Sequence, residues 1–438
     1  MVMAYAALCQ CAGAGATIAA MTTIHIIGAG LSGLSCAVRL SRDGHQVALY
    51  ESAPQAGGRC RSYFEPALDR LIDNGNHLIL GANYALMEYL EVIGARDRLI
   101  SAPEVVYPYV ELPTGKRWTL RPNAGPLPWW LLAPGRRVPD SRLADYLTAW
   151  RLKSADADAT VADVFDTGST FFKRFWGPLM VAVLNTEVEA ASARLMWPVI
   201  DLTFGRGAAA CRAYVARDGL SPSLVDPAVE WLGGRGCETR FGARLRALEF
   251  DGHRVAGLDF GSEKITLADD DCLVLAVPPA RAVELLPGLV APEETRAIVN
   301  AHYRFDTPLS LPGGSPLIGV IGGAAQWIFL RGDVASVTVS AADAMLDVSA
   351  DDIAALLWAD VAKACDLGDT PLPPNRIVKE RRATFAQTPA QVARRPGAKT
   401  QYANLVLAGD WTDTGLPATL EGAVHSGHAA AAEITRRR

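Results

Sequence analysis

The sequence predicts an α/β fold. A βαβ unit at the N-terminus and a strand–loop–helix at the C-terminus close on one sheet edge, with a helical region and a mixed α+β region between them. Three observations predict this. The stretch "IHIIGAGLSGLSCAVRLSRDGHQVALYE", Ile24 to Glu51, sets a β-branched run, three glycines, a helix-spaced apolar series and a second apolar run ending in an acid in one register. The stretch "ANLVLAGDWTDTGLPATLEGAVHSGHAAAAEI" again reads as strand, Gly-Asp, loop and small-residue helix. The chain has 438 residues, half of them apolar, enough for about two or three domains and a large core.

Taken in order, the first twenty residues, "MVMAYAALCQCAGAGATIAA", carry no charge. A secretory signal needs a basic start, and the glycines, glutamine and alanines make a poor membrane span, so residues 1–20 read as a disordered extension. Thr23–Ile27 is a buried strand. Gly28 permits the tight turn, Gly30 lets the backbone approach a pyrophosphate, and Gly33 lets the following helix pack close to the strand. Leu31, Leu34, Val38 and Leu40 mark that helix, and its first turn, with Leu31 and Ser32, offers free N–H groups and a partial positive charge to a diphosphate. Gly44 stops the helix and Gln46–Tyr50 is the next strand. Glu51 follows, 18 residues beyond Gly33, where an acid reaches adenosine ribose hydroxyls.

Between Pro103 and Arg217 the pattern is mostly helical with proline-rich breaks. Phe171, Phe172, Phe175, Trp176, Leu179, Met180, Val183 and Leu184 read there as helix core, some of it able to face an apolar ligand. In Trp231–Phe260, Leu245, Leu248 and Phe250 form one strand and Val255, Leu258 and Phe260 the next, joined by a "DGH" turn. Gly233, Gly234 and Gly236 precede a strand instead of opening a helix, so they read as a turn and not as a second dinucleotide site. Leu273–Val277 is a buried strand ended by Pro278 and Pro279. Residues 300–395 mix strands with a helix, "DDIAALLWADVAKA". Leu405–Ala408 is the last strand, with Gly409 and Asp410 at its carboxyl end, the edge at which open α/β sheets bind ligands. Leu420–Ile434 is a helix whose Gly422, Ala423, Gly427 and Ala430 admit close approach by backbone or ligand. A ligand met by both chain ends is a long one. The expected division is 21–102, 218–299 and 396–438 for the dinucleotide domain, 103–217 for the helical region and 300–395 for the second sheet.

The net charge of −5 gives no reason to expect nucleic acid. Eight cysteines without CxxC or zinc spacing read as reduced thiols in a cytoplasmic setting. His425 and His428 lack the further ligands that a metal needs. No GxSxG or Cys–His arrangement argues for a hydrolase. "GPLPWWLLAPGRRVPDSR" sets Trp129, Trp130, Leu131 and Leu132 before Arg136 and Arg137. This suits either a peripheral contact with the inner membrane or a loop tucked onto its own domain.

After Glu51 comes "SAPQAGGRCRS", with Gly57, Gly58 and Arg59. This segment, the "LVLAVPP" strand and the terminal "LAGDW" resemble, in order and spacing, the FAD-dependent amine oxidase and phytoene desaturase superfamily. The resemblance implies a Rossmann-like FAD-binding domain of the GR2 type with a mixed α+β substrate domain. It implies that Glu51 holds the adenosine ribose, with Gly28, Gly30, Leu31, Ser32 and Gly33 at the pyrophosphate. Gly57, Gly58 and Arg59 would lie by the diphosphate and flavin, with Gly75 and Asn76 also against the cofactor. Gly409 and Asp410 would meet the diphosphate–ribityl chain, and Leu420, Glu421, Gly422 and Ala423 would cap the flavin pyrimidine edge.

Three further segments, "DNGNHLILGANYALMEYLEVIGA", "FWGPLMVAVLNTEVEAASA" and "GLPATLEGAVHSGHAAA", resemble the squalene-associated FAD desaturase subgroup, the hydroxysqualene dehydroxylases. That resemblance covers nearly all of the chain from Ile24 onward. It implies reduction of hydroxysqualene by reduced FAD to squalene and water in hopanoid or other triterpene synthesis, beside squalene-synthase-like enzymes. The substrate is then a C30 polyprenyl alcohol that needs a long dry cavity. Departure of hydroxide needs a proton, and the allylic cation left behind needs a hydride from the flavin. The candidate acids are His77 in "DNGNH", Glu187 in "LNTEVE" and Asp413 in "DWTDTG". The alternatives are an oxidising carotenoid or phytoene-type desaturase, an amine oxidase, or a non-catalytic FAD-binding protein.

Overall fold

The computed structural model describes residues 22–125 and 127–437; the extension expected over residues 1–20 lies outside them. The first strand is Thr23–Ile27, the helix Leu31–Arg42 and the second strand Gln46–Tyr50. They belong to an all-parallel five-stranded sheet in the order Glu238–Arg240, Gln46–Tyr50, Thr23–Ile27, Cys272–Leu275, Leu405–Leu407. The first strand, Thr23–Ile27, is the central one, and Cys272–Leu275 lies between it and the last strand, Leu405–Leu407. The strand expected over Leu273–Val277 stops at Leu275, and Ala276 N–H bonds back to the Ile27 carbonyl. Pro278 and Pro279 follow, and without N–H groups they cannot extend the ladder.

One face of this sheet is covered by the Leu31–Arg42 helix and the last helix, Leu420–Arg436. Their backbones nearly touch at Gly427, where a Cβ would sit 2.1 Å from Ser35 Oγ and 2.3 Å from the Ser32 carbonyl oxygen. Ser35 Oγ donates to the Val424 carbonyl (3.2 Å) and so locks the crossing. The small residues of the last helix therefore serve helix–helix approach at this point. The other face packs on a three-stranded antiparallel sheet, Ala247–Asp251, Arg254–Asp259 and Lys264–Thr266, through Leu248, Val255 and Leu258.

The second sheet has seven strands, in the order Asn375–Phe385, Thr295–Arg304, Val334–Val339, Trp327–Arg331, Leu317–Ile321, Tyr107–Glu111, Lys116–Leu120. The last two form a hairpin within the stretch read as mostly helical, and they join the sheet through the parallel pairing of Tyr107–Glu111 with Leu317–Ile321. Alternation in "YPYVE" and the "PTGK" turn carry that hairpin; neighbouring prolines and bulky helix formers masked it. The helix Ala350–Ala364 covers one face of the sheet. The other face meets the lobe of short helices from Trp129 to Cys211. There Tyr109, Trp118, Leu317 and Trp327 of the sheet share a core with Trp130, Phe172, Phe175, Trp176, Met180 and Leu184 of the lobe. The helix at its centre begins as a π turn, Phe172–Trp176, in which Gly177 N–H bonds five residues back to the Phe172 carbonyl. Pro178 follows and lacks the N–H that a regular turn needs.

Candidate functional site

The glycine turn sits at the carboxyl end of the first strand. Gly28 has φ +106°, and a Cβ there would lie 2.4 Å from the Ala276 carbonyl oxygen; at Gly33 one would lie 1.9 Å from the Gly28 carbonyl oxygen. Both positions are closed to side chains. A Cβ on Gly30 would meet nothing within 4 Å, so the turn opens onto free space just where a pyrophosphate approaches. Gly30 is also the N-cap of the Leu31 helix, and no side chain caps that end, so the first-turn N–H groups, those of Leu31 and Ser32 among them, point at this space.

Glu51 is buried at the end of the second strand. Its Oε2 accepts from Ala29 N–H (2.8 Å) and its Oε1 from Ala53 N–H (2.8 Å) and Ser52 Oγ (3.1 Å). These donors fix the carboxylate and leave it lone pairs for further hydroxyl donors. Gly57 and Gly58 fold over the same turn: Gly57 N–H donates to the Ala29 carbonyl (2.8 Å), and the Cβ position of Gly58 lies 3.5 Å from Gly30 Cα. Arg59 then reaches the last segment, donating to Asp410 Oδ1 (2.7 Å) and to the Ala383 carbonyl (2.6 Å). Asp410 holds the Arg59 guanidinium above its usual range. Gly409 N–H is held by Ser426 Oγ (2.9 Å). Open space at Gly30, an uncapped helix end, an anchored acid and a strand-edge Gly-Asp together fit a dinucleotide.

The residues read at the pyrimidine edge divide. Thr419 caps the last helix through Gly422 N–H (3.2 Å), which leaves the N–H groups of Leu420 and Glu421 at its start, with Ala423 bonded back to Thr419. The Glu421 side chain points elsewhere: it accepts from Ala85 N–H (2.9 Å) and Leu86 N–H (3.0 Å), capping the helix Tyr84–Val92, and burial raises its pKa. Its carboxylate is a structural cap.

The three candidate acids are not brought together. His77 is half-buried, and burial pushes its imidazole down to about 4, opposed by Asp73 and assisted by Arg59. Glu187 is exposed on its loop, its pKa raised by partial burial and then by Glu189 and Asp343. Asp413 is exposed and accepts from Gly415 N–H (3.1 Å) within its own turn. Arg59 is an electrostatic neighbour of His77.

Sequence reasoning missed the residues that seat the Gly75–His77 turn. Asn300, fully buried on the Thr295–Arg304 strand of the second sheet, accepts at its Oδ1 from Thr338 Oγ1 (2.9 Å), Asn76 Nδ2 (3.3 Å) and Asn76 N–H (3.4 Å). Two positions along, His302 Nδ1 meets Ser336 Oγ at 2.7 Å. Asp73 accepts from Ser62 Oγ (2.6 Å) and Leu220 N–H (2.9 Å) and pairs with Arg331 (2.5 Å). Gln387, also fully buried, donates to the Leu184 carbonyl (2.8 Å) and accepts from Ala418 N–H (2.9 Å), tying the helical lobe to the loop before the last helix. The alternating polar positions in "NAHYR" and "SVTVS" carried a readable trace of the Asn300 face.

The fold and the family define a flavin-dependent oxidoreductase. Residues 31–435 match the flavin containing amine oxidoreductase family, and the chain belongs to it; the dinucleotide architecture makes the flavin FAD. Within that family it is 47% identical over 410 residues to the hydroxysqualene dehydroxylase of Rhodopseudomonas palustris, covering 93% of this chain and 97% of that protein. It is 46% identical over 408 residues to the hydroxysqualene dehydroxylase of Sinorhizobium fredii, with the same coverage of 93% and 97%. Among solved structures, cyclohexylamine oxidase from Brevibacterium oxydans shares the fold, with a TM-score of 0.68 at 18% identity over 95% of this chain and 99% of that one.

Proposed function

We propose that the chain reduces hydroxysqualene to squalene with reduced FAD, in hopanoid or related triterpene synthesis. The observation that carries this reading is 47% identity over 410 residues, a match that covers 93% of this chain. In the reaction the carbinol C–O bond breaks, a C–H bond forms, and a proton and a hydride are consumed as water leaves. When bound, the doubly protonated reduced flavin supplies the hydride and, with it, the proton that completes water. The chain's own residues do the rest. Gly28–Gly33, Glu51, Gly57–Arg59 and Asp410 hold the cofactor. Partly buried residues around the aromatic core shared by the lobe and the second sheet, Phe171, Leu179, Val183 and Phe204, would supply dry walls for a C30 chain and π faces for developing positive charge. His77, neutral at pH 7, would hold and orient the leaving hydroxyl through a ring N–H hydrogen bond, and Asn300 seats the His77 turn through Asn76.

We also infer a cytoplasmic protein in peripheral contact with the membrane that dissolves its substrate, fed by enzymes of the squalene-synthase type. Among the described residues no helix is long and apolar enough to cross a membrane. Of the two tryptophans read at an interface, Trp129 is 51% exposed, whereas Trp130 is buried against Tyr146 and belongs to the lobe core.

The test of the activity is single turnover with hydroxysqualene and FAD reduced with deuterium at N5, read by mass spectrometry. The expected product is squalene with one deuterium at the former carbinol carbon. A product with an added double bond overturns the reading in favour of a desaturase.

A further inference from the structure

The helix Leu143–Leu147 runs directly into a 3₁₀ segment, Thr148–Ser154. Its inner side buries Tyr146, Ala149 and Leu152. Its outer side is also apolar: Leu143, Leu147 and Trp150, spaced i, i+4 and i+7, are 39%, 50% and 61% exposed. A helix that is apolar on both sides has a second partner to cover. The strap before it does the same. It packs on the helix through the Trp130–Tyr146 ring contact (5.6 Å) and the Val138 N–H to Tyr146 hydroxyl bond (3.0 Å), and it turns Leu127, Trp129 and Leu132 outward.

Charge identifies the occupant. In a chain of net charge −5, residues 127–154 hold five basic and two acidic side chains, with the exposed Asp156 and Asp158 directly beyond them. Both acids are engaged: Asp140 pairs with Lys116 (2.7 Å) and Arg174 (3.3 Å), and Asp145 caps its own helix at Arg142 N–H (2.6 Å). Arg142 brackets the stripe at one end and Arg151 and Lys153 at the other, all exposed, while Arg136 lies over the Trp129 ring (4.8 Å). Large apolar side chains framed by exposed cations, with Lys153 over the Trp197 ring (5.9 Å), and an interfacial tryptophan match the boundary of an anionic lipid leaflet.

We infer that the Leu143–Ser154 helix is a second membrane-docking element beside the Trp129 strap, and that the two together select anionic phospholipid. This rests on the peripheral-contact reading above and names its lipid and its main anchor. The test is sedimentation of the full-length FAD-loaded protein with phosphatidylcholine vesicles and with vesicles containing phosphatidylglycerol. The expected result is binding at least tenfold tighter to the phosphatidylglycerol vesicles. L147S/W150S should cut it tenfold or more, and R151E/K153E should erase the lipid preference, both with flavin content retained. Trp150 touches Trp197 (5.5 Å), so L143S/L147S repeats the test without disturbing that contact. If W129S abolishes binding while both helix variants bind normally, the second element is overturned and the peripheral contact stands. Equal binding to both vesicle types overturns the lipid selection. If no vesicle binds, and light scattering shows dimers that L147S/W150S dissolves, the face is a protein interface and both readings fall.

Discussion

Arg59 donates to Asp410 Oδ1 at 2.7 Å across 351 positions of sequence. The same guanidinium donates to the Ala383 carbonyl, so one side chain joins the segment after the first βαβ unit, the end of the second sheet and the last strand edge. Asp410 is buried while Arg59 is half-exposed, so the acid depends on the pair more than the cation does. The contact ties the two ends of the chain together.

D410A and R59A should each lower flavin retention and cost about 1–3 kcal/mol of stability, because each leaves a charge-assisted hydrogen bond unmade. The double variant should cost less than the sum of the two. Denaturant melts of the four proteins, with flavin absorbance after gel filtration, check this. Additive losses would mean that the two side chains act separately.

E421A should destabilise the protein by about 1–2 kcal/mol through loss of the cap on the Tyr84–Val92 helix. Thermal melts should fall equally with and without FAD. A fall in FAD affinity at unchanged stability of the cofactor-free protein would put the carboxylate on the cofactor instead.

E51A should weaken FAD binding by about 1.5–3 kcal/mol, roughly ten- to a hundredfold, since the ribose loses a charged acceptor. Fluorescence titration of the stripped protein measures it. The Ala29 and Ala53 N–H groups lose their acceptor as well, so stability should also drop, though by less. Unchanged FAD affinity would remove Glu51 from the site.

Acid should unfold the protein early. Burial holds His77, His302 and His428 at about 4, while in the unfolded chain they titrate near 6.5. The folded state therefore binds fewer protons between those values. Stability is complete above about pH 6.5 and falls as the pH drops toward 4, by up to about 1.4 kcal/mol per pH unit for each such group. Denaturant midpoints from pH 7 to pH 4.5 should show the slope, and H302Q should flatten it. A flat profile would mean that these imidazoles are solvated.

Much of the dinucleotide half was legible in the sequence because its determinants are local. Thr23–Ile27, Gln46–Tyr50 and the Leu31 helix follow from β-branched runs, helix spacing and three glycines whose neighbours along the chain dictate the turn. The "DGH" hairpin and the start of the last helix at Leu420 follow from turn and cap residues. The hairpin Tyr107–Leu120 was obscured, since its strands are short and only pairing with Leu317–Ile321 makes them part of a sheet.

By itself, then, the sequence determined the βαβ unit, the class of ligand and the family, because those rest on residue types at fixed short spacings. Only the tertiary structure decided how the residues of that site are used. Glu421, next to the expected cofactor edge in sequence, turns its carboxylate to a helix end 336 positions away, because unsatisfied N–H groups there outweigh an exposed alternative. Asn300 became the seat of the His77 turn through three donors, two of them from a segment more than 220 positions upstream. Trp129 and Trp130, neighbours of the same type, went one to solvent and one to the core. Burial depends on which face of an element packs against which other element, and that choice is made among residues distant in sequence.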